Sequence, residues 1–129
     1  DNQKSRLAVN KICISMGIPL VEGGIHGFYG YLMTIGKNSA CLGCLGYEKE
    51  EKTGSVPALG AAAGVIGSLQ AMEALKLITG AGKPLYNRLL SYDGLEGEFD
   101  TVPVFPAQDC PFHKVQPESI SREAGKLYD

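Results

Sequence analysis

Two short motifs, distant in sequence, restrict the possible folds of this chain more than any other feature. Cys41-Leu-Gly-Cys44 is a pair of thiols separated by two residues, and Cys110-Pro-Phe-His113 repeats the spacing with an imidazole in the last place. Two-residue spacers let both side chains of a pair turn toward one ion, at Zn–S of about 2.3 Å and Zn–N of about 2.0–2.1 Å. Thiolates and imidazole favour Zn²⁺ over hard cations. A fold that unites the pairs makes a tetrahedral site of Cys41, Cys44, Cys110 and His113. All four positions are then protein ligands, so the metal is structural. Gly43 and Gly46 help the first turn bend, and Pro111 stiffens the second. Two other readings stand beside this one: a redox CxxC, and buried thiols that share no ligand. A permanent disulfide is disfavoured in a reducing compartment.

The pattern between and around these pairs predicts two main helices and about four strands. Asp1-Asn2 can cap a helix over residues 3–16, whose apolar side carries Leu7, Val9, Ile12, Cys13 and Met16. Gly17 is a natural helix stop. Ile18 to Glu22 reads as a strand that starts at Pro19, and Gly23-Gly24 as a turn or bulge. Phe28 to Ile35, aromatic and branched, is a second strand. Residues 36–56 have no period and read as loop, with the charged run Glu48 to Lys52 as a solvated, mobile surface.

The clearest helix spans Ala58 to Thr79 and ends at Gly80. Its first half carries no charge, which predicts burial on more than one side. Gly60, Gly64, Ser68 and Ala71 form a stripe of small residues that would let another backbone approach closely. Each glycine costs about 1 kcal/mol against Ala in a helix interior, so packing should offset it. Arg88 to Asp93 and Glu98 to Val104 read as strands around a glycine-containing turn, the second half-buried and at an edge because of Pro103. Residues 1–113 form one unit, and 114–129 a polar tail with a short helix near 119–126. Cys13 reads as a small core hydrophobe, and His26 as an ordinary loop histidine.

Composition excludes several function classes. A length of 129 residues suits one domain, and 44% hydrophobic with 20% charged residues is not the composition of a disordered chain. A net charge of −2 argues against a nucleic-acid partner, because phosphate neutralisation needs excess Lys and Arg. The Cys/His spacing also encloses no short recognition helix. The chain opens at Asp1 with neither a charged nor an apolar leader, and its longest weakly polar stretch, Val56 to Leu69, is short and rich in Ala and Gly. The expectation is a soluble, cytoplasmic chain with no membrane partner, cut from a longer protein.

The order of these features resembles the ubiquitin-activating-enzyme-like adenylyltransferases of bacterial cofactor biosynthesis, the MoeB/ThiF/HesA group. The carrying residues are Asp1-Asn2 with Arg6, Asn10 and Cys13, then Gly17-Ile-Pro-Leu-Val21, Gly23-Gly24 and the pair at 41 and 44. Gly64-Val-Ile-Gly-Ser-Leu-Gln-Ala-Met-Glu-Ala-Leu-Lys76, Arg88-Leu-Leu, Tyr92-Asp93-Gly94 and the pair at 110 and 113 complete them.

The resemblance implies the C-terminal half of a doubly wound, Rossmann-like α/β fold with a mixed sheet and a structural zinc knuckle. It implies a homodimer that binds Mg-ATP and adenylates the C-terminal carboxylate of a ubiquitin-like sulfur-carrier protein. Asp1 matches the family aspartate near Mg-ATP. The family holds zinc by two CxxC pairs; here His113 stands for the fourth Cys, which makes the site less negative by one charge.

Two departures shape the expectation. The family's Gly-rich nucleotide-binding turn is absent, since Gly24 to Gly30 lies between two strands and leads into no helix. This chain alone is therefore expected to be inactive. Some relatives also carry a Cys between the first zinc pair and the long helix, where this chain has Thr53. A hydroxyl cannot readily supply a thiolate nucleophile. A parent enzyme would then stop at the acyl-adenylate or pass sulfur through another protein. The alternative is a zinc-stapled dimerisation and partner-docking module without catalysis.

Overall fold

The helix that opens the chain forms where its caps are. A computed structural model describes residues 2–47 and 55–114. Helix α1 spans Gln3–Met16; the Asn2 side chain accepts a hydrogen bond from Ser5 N–H at 2.9 Å. At the other end Gly17 takes φ +68°, and Ile18 N–H closes back onto Cys13 C=O at 2.9 Å. Asn10 and Ile14 are its buried residues, whereas Cys13 is half-buried rather than part of the core.

Strands β1 (Leu20–His26), β2 (Tyr29–Ile35), β3 (Arg88–Asp93) and β4 (Glu98–Pro103) pair in that order, each antiparallel to its neighbour. The expected mixed sheet is therefore an antiparallel one, with parallel pairing among the described residues only at the isolated bridges Gly27–Ala58 and Thr34–Tyr86. The reason lies in the direction of α2 (Gly60–Thr79). The bridge at Ala58 starts α2 at the first end of β2, where Ile66 lies over Gly30. Further along, Glu73 lies over Thr34. The helix thus runs the same way as β2 and delivers the chain to the far end, so β3 must come back antiparallel. A parallel pair would need the crossover to return to the start of β2.

Alternation along β2 places two layers on the sheet. Tyr31, Met33 and Ile35 face α1 and the cysteine loop; Gly30, Leu32 and Thr34 face α2. The core on the first side is Ile14, Met33, Ile35, Ala40, Leu42 and Phe112 with the sulfurs of Cys41 and Cys110. On the second side Ala62, Ile66 and Glu73 of α2 are buried.

Several local expectations are corrected here. Gly23 and Gly24 lie inside β1, not in a turn. A Cβ on Gly23 would lie 2.9–3.0 Å from atoms of Gln70 and Ile66, and one on Gly24 2.4 Å from the Tyr31 ring. Strand glycine here serves close approach. The turn is at Gly27, with φ +58°.

The small-residue stripe of α2 is not a packing surface among the described residues: Gly60, Gly64 and Gly67 have nothing within 4 Å of a Cβ position. One face of the helix lies on the sheet, and Met72, Leu75 and Ile78 on the outside are exposed. Burial on more than one side is thus not met among the described residues. The helix has 20 residues and by length and composition could cross a bilayer. Its buried Glu73, bonded to Thr34 and to Leu85 N–H, instead ties it to the sheet layer. Strand β4 is an edge as expected, but it is exposed throughout; Phe99 covers itself only by stacking on Tyr92 at 4.8 Å. Asp1, the Glu48 to Lys52 run, Thr53 and residues 115–129 lie outside the described residues.

Candidate metal centre

Each half of the cysteine–histidine motif is a hydrogen-bonded knuckle. In the first, Leu45 N–H bonds back to Cys41 C=O at 3.2 Å and Gly46 N–H to Gly43 C=O at 3.0 Å. Gly46 closes the turn at φ +75°. The second is a 3₁₀ turn over Pro111–Lys114, with Cys110 N–H on Ala107 C=O at 3.1 Å and His113 N–H on Cys110 C=O at 3.3 Å. The knuckles meet through Gly43, because any Cβ there would lie 2.4 Å from the Phe112 ring and 3.0 Å from Cys110 Sγ. Gly43 thus serves the contact between knuckles, beyond the bend expected of it.

The four ligand atoms lie within 4.8 Å of one another. Cys41 Sγ is 3.7 Å from Cys44 Sγ and 3.6 Å from Cys110 Sγ, and Cys44 Sγ is 3.3 Å from His113 Nε2. An ion about 2.3 Å from each sulfur in tetrahedral geometry sets sulfurs about 3.8 Å apart. The separations fit that polyhedron, and all four thiols of the chain are free. Cys41, Cys44, Cys110 and His113 are therefore close enough, and of the right donor type, to hold a metal ion.

The electrostatics of the thiols differ. Burial pushes the Cys41 thiol up to about 12, against the Cys44 backbone and the Asn10 side chain, which favour its thiolate. Burial raises Cys110 as well. Burial acts the same way on Cys44, but hydrogen bonds from the backbone at Ala107 and Cys41 outweigh it and bring that thiol below its ordinary value. Two buried thiols with raised pKa values are poor nucleophiles by themselves. A bound dication reverses this order by holding the sulfurs as thiolates.

Three residues that the sequence reading left unassigned hold the first knuckle. Ser39 Oγ accepts from Gly36 N–H at 2.7 Å, Asn87 Oδ1 from Ala40 N–H at 2.8 Å, and Asn10 Oδ1 from Leu42 N–H at 3.3 Å. The only sequence signal for Asn87 was an Asn just before a strand, a residue that tolerates its φ of +57°. Of the predicted site residues the structure brings together Cys41, Cys44, Cys110 and His113. His26 is exposed at the end of β1, away from them.

A second polar cluster fastens α1 to the sheet. Arg6 pairs with the buried Glu22 and donates to Gly23 C=O at 3.1 Å and Tyr31 Oη at 2.9 Å; Tyr31 Oη donates to Glu22 at 3.2 Å. Burial, and then the Glu22 charge, push the Tyr31 phenol up, so it stays a donor. This cluster fixes the start of the chain over β1 and β2.

Comparison with known proteins bears on what the centre belongs to. The ThiF family matches residues 1–112. The chain is 40% identical over 117 residues to the SAMP-activating enzyme E1 of Haloferax volcanii, covering 86% of this chain and 43% of that protein. It is 37% identical to the sulfur carrier protein adenylyltransferase of Thermus thermophilus (86% and 45%), and 31% identical to the sulfur carrier protein ThiS adenylyltransferase of Escherichia coli (86% and 46%). The chain thus spans less than half the length of these curated relatives. Among solved structures, Escherichia coli MccB with its selenomethionine-labelled MccA shares the fold, at a TM-score of 0.70 and 14% identity, over 85% of this chain and 35% of that one.

Proposed function

Because the chain belongs to the ThiF family, we propose that it is the C-terminal half of an ATP-dependent adenylyltransferase acting on the C-terminal carboxylate of a ubiquitin-like sulfur-carrier protein. The observation that carries this reading is that relatives named for adenylating sulfur carriers are matched across most of the chain. In the reaction a carboxylate oxygen bonds to the α-phosphorus of Mg-ATP, the bond to the bridging oxygen breaks, and pyrophosphate leaves. Such chemistry needs the carboxylate held against the phosphate in a water-poor site. In this reading this half supplies the sheet platform and the docking surface, and Asp1 is the counterpart of the family aspartate near Mg-ATP.

Cys41, Cys44, Cys110 and His113 hold a structural zinc ion, which supplies no chemistry beyond joining the two knuckles. With Thr53 in place of a cysteine, the parent stops at the acyl-adenylate or passes sulfur through another protein. The parent is a cytoplasmic homodimer, a compartment in which four free thiols are at home. The test is ATP–pyrophosphate exchange by the full-length protein, expected to depend on a carrier with a free C-terminal carboxylate. A carrier thioester would contradict the early stop.

One feature favours a second reading, a non-catalytic zinc-stapled module for dimerisation and docking. The outer side of α2 is apolar and uncovered among the described residues, with Ile78 80% exposed. Full-length protein that binds no ATP yet dimerises would decide for it.

A further inference from the structure

Asn10 sits 0% exposed on α1, and its amide meets the cysteine loop. The Leu42 N–H bonded to Oδ1 settles which end is oxygen, since that position requires an acceptor. The other end, Nδ2, is buried and has no hydrogen-bond partner among the described residues. A buried amide N–H left unsatisfied costs about 1–3 kcal/mol. Leu42 N–H belongs to the peptide bond that follows Cys41, so the Oδ1 contact sets the Asn10 amide against the first of the four cluster residues. A neutral thiol accepts hydrogen bonds weakly; a metal-held thiolate accepts them well.

We propose that Asn10 is a positioning residue for the metal centre: Oδ1 holds the knuckle by Leu42 N–H, and Nδ2–H donates to the Cys41 thiolate. The inference rests on the metal reading above. It gives the orphaned donor its partner and joins α1 to the two knuckles through one side chain. Such outer contacts set the orientation and basicity of a ligand, and losing one costs about 10–100-fold in metal affinity.

The first test needs no variant. In full-length protein loaded with cadmium-113, the metal should show scalar coupling to an Asn10 Nδ2 proton. Asn10→Asp keeps an acceptor for Leu42 N–H but replaces the donor with a group that repels the thiolate. Zinc affinity, measured against a chromophoric chelator, should fall about 10–100-fold. The sulfur-to-cobalt absorption of the cobalt-substituted variant should move to longer wavelength. Asn2→Ala, which uncaps α1 without touching the loop, should change neither readout. Absence of the coupling, or an Asn10→Asp variant with unchanged affinity and spectrum, overturns the proposal while leaving the metal reading intact. Failure of the unmutated protein to bind zinc, cadmium or cobalt overturns both.

Discussion

The two contacts made by the sheet are built on opposite principles. On one face the cysteine loop and the Pro111–Lys114 turn converge through polar atoms: three sulfurs, one imidazole, and the amide oxygens of Asn10 and Asn87, which accept from the loop's N–H groups. On the other face α2 settles by shape, with Ile66 over Gly30 and Gln70 beside Gly23. Two side chains add chemistry there: Gln70 Nε2 donates to Val21 C=O at 3.2 Å, and Glu73 accepts from Thr34 Oγ1 at 2.6 Å and Leu85 N–H at 2.8 Å and pairs with Lys76. The first contact depends on which atoms are present. The second depends on which atoms are missing.

That contrast can be broken from either side. The largest effect is expected from Cys110→Ser, which should lose most of the bound zinc and cost about 4 kcal/mol or more in denaturant unfolding, the range reached when a structural metal goes. Glu73→Ala should follow. Glu73 is 2% exposed, and its removal strands the Thr34 hydroxyl and Leu85 N–H, a loss of about 2–4 kcal/mol.

Glu73 also predicts a pH dependence. Burial opposes its charge, but Lys76, Thr34 and the Leu85 N–H outweigh burial and hold its carboxyl below the usual range. A carboxylate lowered on folding contributes stability above its unfolded pKa, about 4.3, and loses it as pH falls through the folded value. Acid titration of unfolding should therefore show a drop below about pH 4 that Glu73→Gln flattens.

Gly30→Ala tests the shape side directly. The new Cβ would lie 2.5 Å from Ile66 Cγ1, and overpacking of this kind costs about 1–3 kcal/mol. The smallest change is Gly64→Ala, where the Cβ meets nothing within 4 Å. Helix propensity alone should then raise stability by about 1 kcal/mol. A loss instead would mean that another surface lies tightly against the outer side of α2.

Legibility in the sequence followed the same division. The cysteine–histidine cluster was readable because metal-type residues at matched spacings stand out in a sequence, and the fold brings those four residues to one place. Helix α1 was readable to the residue, because Asn2 and Gly17 cap both ends. The glycines misled. Those in α2 looked like a packing notch and touch nothing among the described residues, whereas Gly23 looked like punctuation and, with Gly30 of the second strand, receives the helix. A glycine announces a missing side chain, but only the partner surface decides whether space or backbone freedom is being used. Sheet direction was misread for a comparable reason: it depends on where the chain from β2 re-enters, which no local pattern states. Asn10 and Asn87 were missed as loop supports because a polar amide on a helix or before a strand usually faces water.

The claim beneath the account is that the two knuckles share one ion. X-ray absorption at the zinc edge of the purified protein tests it most directly. One equivalent of zinc with three sulfurs at about 2.3 Å and one nitrogen at about 2.0–2.1 Å is the expected shell. Less than about half an equivalent, or a shell lacking the nitrogen or one of the three sulfurs, would contradict it.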